Sequence, residues 1–161
     1  MKTLPLTAFV VAFALPALAQ DAQPNDGEID ASFTWSSVDV ATIPTDGDGT
    51  VSVSEARLVV TANRPGLIDR LAGTCLLKGT AHGEVWEAIG DCAFADADGD
   101  RLFESITETG DKGRGVFTGG TGKFAGITGE HDYTTTWYSS LRPGENQGVG
   151  VKSGHWKRTA M

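Results

Sequence analysis

The feature that most limits what this chain can become is a two-residue alternation running from Ile29 almost to the C-terminus, with helical spacing sustained nowhere beside it. In "IDASFTWSS", Ile29, Ala31, Phe33 and Trp35 alternate with Asp30, Ser32, Thr34 and Ser36. Successive side chains of a strand point to opposite faces, so each set occupies its own side. "TVSVSEARLVVTA", "TCLLKGTA", "EVWEAIGDCAF", "RLFESITE", "GVFT", "DYTTTWYSS" and "GVGVKSGHWKRTA" repeat the theme, separated by "NRPG", "DADGD", "TGDKG" and "RPGEN". Those separators carry the residues that set turn geometry. About eight strands, with no helix long enough to cover a sheet, predict a single all-β domain, either a closed barrel or a sandwich. In the second strand Ala56, Leu58 and Val60 share one face while Val51 and Val53 fall on the other. That change of phase predicts a bulge near Ser54 or a strand buried on both sides.

Ahead of the strands, "MKTLPLTAFVVAFALPALAQ" has a basic Lys2, an apolar run from Leu6 to Leu15, Pro16, and small residues at Ala17 and Ala19. This is the pattern of a secretory signal over residues 1–19, cleaved after Ala19. The apolar run is short of the roughly 20 residues that span a bilayer, so no membrane insertion is expected after cleavage. The predicted location is periplasmic or secreted. "QDAQPNDGE", residues 20–28, reads as a frayed arm, and residues 29–161 as the barrel domain. Removing 19 of the 161 residues leaves 142, enough for one core, and moves the net charge from -8 to -9. An acidic chain lacks the clustered Lys and Arg that attract nucleic acid or anionic lipid.

The two cysteines locate one hairpin. A two-residue type II′ turn at Gly83-Glu84, with Gly at the first central position, pairs His82 with Val85 and brings Cys75 opposite Cys92. Counting out from the turn, that pair falls on a non-hydrogen-bonded site with Cα atoms roughly 4.5 Å apart, within disulfide range. An even cysteine count in an exported chain points to a Cys75–Cys92 bond. Neither cysteine has the C-x-x-C spacing of a redox or zinc site.

Two acidic stretches partly match a calcium loop. "PTDGDGTVSVSE" has Asp46, Asp48, Gly49 and Glu55 in place, but proline at the first ligand position. "DADGDRLFESIT" has Asp96, Asp98 and Asp100, but Arg101 stands where the sharp turn needs glycine, and Glu108 comes one place late. Flanking helices are missing from both, and Asp98-Gly99 is a strong hairpin signal without any metal. The expectation is no metal site at either.

"GRGVFTGGTGKFAGITGEHDY" raises the question of a phosphate loop. Gly122-Lys123 is followed by Phe124, not Ser or Thr, and Phe117 stands where a Walker loop begins with glycine. Gly120, Gly122 and Gly126 are one residue too widely spaced for a dinucleotide fingerprint. The glycines therefore serve the backbone where a strand ends, crosses and restarts. "FTGGTGKFAGITGEHDY", Phe117 to Tyr133, resembles the glycine-rich strand-loop-strand segment of the allene oxide cyclase and dirigent-like β-barrels. The resemblance implies a single eight-stranded antiparallel barrel, allene oxide cyclase-like, with a cofactor-free apolar cavity that steers cyclisation or radical coupling in plant members. What carries over is the glycine frame Gly119, Gly120, Gly122, Phe124 and Gly129; no catalytic residue of those enzymes matches a position here.

Other candidates for chemistry are sparse. His82, His131 and His155 lie on separate strands or turns without metal-ligand spacing, and are expected on solvated strand faces. No G-x-S-x-G or H-E-x-x-H is present. Trp35, Trp86, Trp137 and Trp156, with Tyr133 and Tyr138, are candidates to line a ligand cavity, with the alternative that aromatics simply fill the core or ends of the barrel. Three readings stay open: an exported barrel without catalysis of its own that binds a small apolar molecule, a cofactor-free cyclase or isomerase, and a calcium-binding exported protein.

Overall fold

The computed structural model of the chain describes residues 24–83, 85–140 and 142–159. The expected signal segment and its cleavage site lie outside these residues. Eight strands, each antiparallel to the next, follow one another around a closed barrel: β1 (Asp26–Pro44), β2 (Thr50–Ala62), β3 (Leu71–His82), β4 (Val85–Ala95), β5 (Arg101–Thr109), β6 (Lys112–Gly120), β7 (Ile127–Tyr138) and β8 (Glu145–Arg158). β8 pairs with β1 from Lys157–Asp26 to Glu145–Val38, so the sheet closes on itself. That pairing also draws Asp26, Gly27 and Glu28 into β1, three residues ahead of the expected start at Ile29.

The predicted hairpin register holds: His82 faces Val85, and Cys75 and Cys92 face each other and are disulfide-bonded. Gly83 has the positive φ (60°) that a primed turn requires; Glu84 lies outside the described residues. The expected change of phase in β2 does not occur. Ser52, Ser54, Ala56 and Val60 are all buried, so one face of β2 runs straight through, and Val53 points outward. The irregularity sits instead on the facing strand, where the register shifts between Asp39 and Ala41, opposite Ser54 and Val53. Apolarity alone misassigned the faces, because two serines occupy interior positions.

The barrel has a packed end and a hollow end. At the packed end Ile29, Val60, Leu71, Leu102 and Ile127 meet, each no more than 2% exposed. A 3-10 turn, Gly122–Phe124, tucks Phe124 beneath them at 0% exposure. Closure is held by polar contacts: Asp100 accepts the Lys123 N–H at 3.0 Å, Lys123 pairs with Asp96, and Arg158 donates to the Lys123 carbonyl at 2.6 Å.

Inside, large side chains lie over glycines of neighbouring strands. Phe33 covers Gly150, Trp35 covers Gly148, Tyr133 covers Gly113, and His131 covers Gly115, each pair being direct cross-strand partners. A Cβ at any of these glycines would collide with the ring. A small barrel interior fits few bulky groups per level, and pairing each with a missing side chain fits the taper.

Candidate binding cavity

The hollow half encloses a cavity of about 600 Å³. Its lining includes Gly110 and Asp111 of the β5–β6 turn, so it opens at the end opposite Phe124. Two unlike walls face it. β2, β3 and β4 contribute only uncharged groups, including Leu58, Leu77 and the Cys75–Cys92 disulfide. The charged groups are Asp39 on β1, Glu104 and Glu108 on β5, Asp111, and Lys152 on β8, with His131 on β7 beside them.

The polar floor is a buried cluster. Glu104 and His131 are joined at 3.0 Å between Oε1 and Nε2, and the Lys152 ammonium stands 3.6 Å from Glu104 Oε2; the three side chains are 1–5% exposed. Burial opposes the charge on Glu104, but Lys152 and the His131 hydrogen bond outweigh it and hold the carboxyl below the usual carboxylate range. With Glu104 ionised, His131 Nε2–H is the donor. Glu104 Oε2 faces only the Lys152 ammonium, and His131 Nδ1 has no hydrogen-bond partner among the described residues. Lys152 also lies 5.3 Å from the centre of the Phe94 ring.

Higher on the same wall the Tyr133 hydroxyl donates to Glu108 Oε2 at 3.0 Å. Burial raises the Glu108 carboxyl above its ordinary value, against the opposing pull of Tyr133 and Trp86. Burial and the neighbouring Glu108 push the Tyr133 phenol well up, so it stays protonated. Across the mouth Ser54 Oγ donates to Asp39 Oδ1 at 2.7 Å. The two glutamates are four residues apart on one strand, roughly 13 Å along the backbone, and face the same space in opposite protonation tendencies.

Trp35, Trp86, Trp137 and Tyr133 all line this cavity. Trp35 and Trp137 meet edge to face at its mouth, with centroids 4.6 Å apart, and Trp137 is 43% exposed. Of the other two candidates, Trp156 belongs instead to the packed end, against Gly27 and Gly129, and Tyr138 is exposed outside the lining. The interior is thus neither solid nor empty: aromatics fill one end and wall the other.

The glycine frame is remote from the cavity. Gly119, Gly122 and Gly129 have positive φ (148°, 53° and 148°), and Gly120 lies where a Cβ would strike Phe124. With Phe124 these residues build the closing turn. His82 and His155 are exposed as expected, but His131 corrects the expectation of a solvated strand face: it is 3% exposed and bonded to Glu104. Glu104, Glu108 and Lys152 were not singled out from the sequence at all. The signal was present, since Glu104 and Glu108 share the phase of Leu102 and Ile106, and Lys152 that of Trp156. Interior phase occupied by charge is the mark of a site in a strand protein.

The second aspartate loop is internally satisfied. Asp96 Oδ1 accepts the N–H groups of Asp98 and Asp100, and its other oxygen holds the Lys123 ammonium, which lowers its pKa. Asp98 lies 3.5 Å from the same ammonium. Gly99, at φ 85°, completes the hairpin turn.

No family model and no curated protein matches the sequence. Among solved structures the barrel is similar to two pterocarpan synthase dirigent proteins. PsPTS1 superposes with a TM-score of 0.51 at 18% identity, covering 86% of this chain and 99% of that one. GePTS1 gives 0.50 at 15% identity, covering 86% and 90%. The protein therefore has the dirigent-type fold, a closed eight-stranded antiparallel barrel, and at these identities the likeness is one of fold. Among the described residues no helix is long and apolar enough to cross a membrane.

Proposed function

We propose that the protein is an exported, periplasmic or secreted barrel that binds a small, largely apolar molecule in its open cavity, without catalysis of its own. The observation that carries this reading is the cavity, whose volume of about 600 Å³ falls in the range of roughly 300–1,000 Å³ usual for small-molecule sites. One wall is uncharged and aromatic rings frame the mouth. Export is supported by the A-x-A segment ending at Ala19 and by the Cys75–Cys92 disulfide, a bond that persists in oxidising compartments. The test is tryptophan fluorescence titrated with fatty acids, terpenoids and phenolics. A response retained in Trp156→Phe and diminished in Trp86→Phe is expected. Unchanged fluorescence and melting temperature across the whole panel would overturn the reading.

A second reading, a cofactor-free cyclase or isomerase, is favoured by the two cavity glutamates whose pKa values are displaced in opposite directions. Such a pair suits acid–base work: Glu108 gives a proton while the Glu104–His131 pair receives one. The dirigent proteins of the same fold are named as synthases. On this reading Glu108→Gln abolishes turnover of an unsaturated epoxide or phenolic substrate but changes its affinity only a few-fold. Absence of turnover by a wild-type protein that binds the compound would exclude it for that substrate class.

A further inference from the structure

Resting on the binding reading of the cavity, we infer that the molecule held there is an organic cation, a protonated or quaternary amine carried on an apolar body. The wall carries four acids, Asp39, Glu104, Glu108 and Asp111, against the single ammonium of Lys152. Lys152 is already committed to Glu104. Asp39, Glu108 and Asp111 have no cation within ion-pair distance among the described residues. Even with the Glu108 proton in place, the acids outnumber Lys152 three to one. The chain as a whole has the same sign, with 21 acidic residues against 13 basic ones. A cleft with low-dielectric walls focuses such a field on its contents.

Two further observations point the same way. Trp35, Trp86 and Trp137 share the acid-lined half of the barrel, and indole faces attract cations more strongly than other rings. On the floor His131 Nδ1, on a residue 3% exposed, has no hydrogen-bond partner among the described residues; with Nε2–H given to Glu104 it is the ring's acceptor nitrogen, and an N–H⁺ donor would satisfy it. An anionic head would pass unpaired carboxyls to reach an ammonium already balanced by Glu104. A neutral hydroxyl would satisfy His131 Nδ1 but gain nothing from the field. A compact metal ion is a poorer fit, because among the described residues no three His, Cys, Asp or Glu side chains stand close enough to hold one. Scattered acids acting through their field, with aromatic rings in contact, suit a large, weakly hydrated cation.

The experiment is calorimetric titration of the purified protein with 3-phenylpropylammonium, 3-phenylpropan-1-ol and 3-phenylpropanoate, which share one body and differ in head charge. Nile red, a neutral apolar dye, reports separately on whether the cavity accepts apolar molecules. The ammonium compound is expected to bind at least about ten-fold more tightly than the alcohol, and the propanoate most weakly. Raising salt to about 0.3 M, or combining Asp39→Asn with Asp111→Asn, should shrink that preference without weakening the alcohol. Nile red binding with the ammonium compound no tighter than the alcohol or propanoate would overturn the cation inference alone. Silence from Nile red and all three compounds would overturn the binding reading as well.

Discussion

Lys152 lies in "GVGVKSG" among small and β-branched residues, where only its shared phase with Trp156 signals a charge 5% exposed inside a barrel. It is tolerable there because Glu104 balances it, and removing either partner strands the other. Lys152→Met should cost about 3–5 kcal/mol, whereas the double variant with Glu104→Gln should recover most of that loss. Urea denaturation of the three variants measures it, and a double variant no better than the single would show that the pair is not coupled. The two glutamates should also leave opposite marks on stability against pH. Glu104 is held below its ordinary value of 4.5 once Lys152 and His131 outweigh burial, so its contribution is present above 4.5 and lost as the pH falls through the lowered folded value. Glu108, raised by burial, contributes fully below 4.5 and loses that contribution as the pH rises through its folded value. Glu108→Gln should therefore be more stable than wild type near neutral pH and show a flatter decline above 4.5. An unaltered profile would mean that Glu108 is solvated in the folded state.

Among the elements, the β3–β4 hairpin carries a cross-link spanning 17 residues. In the chain-entropy view, closing a loop of that length restrains the unfolded chain by about 3 kcal/mol. Replacing both cysteines by alanine should lower the denaturation midpoint accordingly, and peptide mapping without reduction should recover Cys75 and Cys92 as one linked species. Quantitative thiol labelling of the native protein would contradict the bond. The β4–β5 loop has its own prediction. Since Lys123 already sits against Asp96 and near Asp98, calcium should leave the melting temperature unchanged. A ligand at a hundred times its dissociation constant stabilises by about 2.7 kcal/mol, so a real site would be visible. A chelator-reversible rise lost in Asp98→Asn or Asp48→Asn would establish the calcium-binding alternative.

For the molecule as a whole, the contrast between packed and hollow ends should appear in its motions. The end around Leu71, Leu102, Phe124 and Ile127 is filled, while the mouth around Trp137 and Asp111 has no core beneath it. Local opening is easiest where few apolar contacts are lost. Amide exchange should therefore be slowest at the β2–β3 and β6–β7 ends of the strands and faster at the β1–β2 and β7–β8 ends. A bound ligand should slow exchange at the mouth selectively. Uniform protection along each strand would contradict this division.

The all-β class, the strand count and the Cys75–Cys92 register were legible in the amino-acid sequence, because alternation and turn chemistry are local properties. Of the strand aromatics nameable as cavity candidates, Trp35, Trp86, Trp137 and Tyr133 line the cavity and Trp156 and Tyr138 do not, because bulk and alternation do not say which end of a strand is hollow. The phase of β2 was misread because polarity stood in for direction, and Ser52 and Ser54 point inward. Only the closed barrel decided that His131, from β7, would meet Glu104 from β5 and Lys152 from β8, across 27 and 48 residues of chain. Whether a charge is a solvated surface group or a buried floor depends on what lies opposite, and that is set by closure around the barrel rather than by neighbours along the chain.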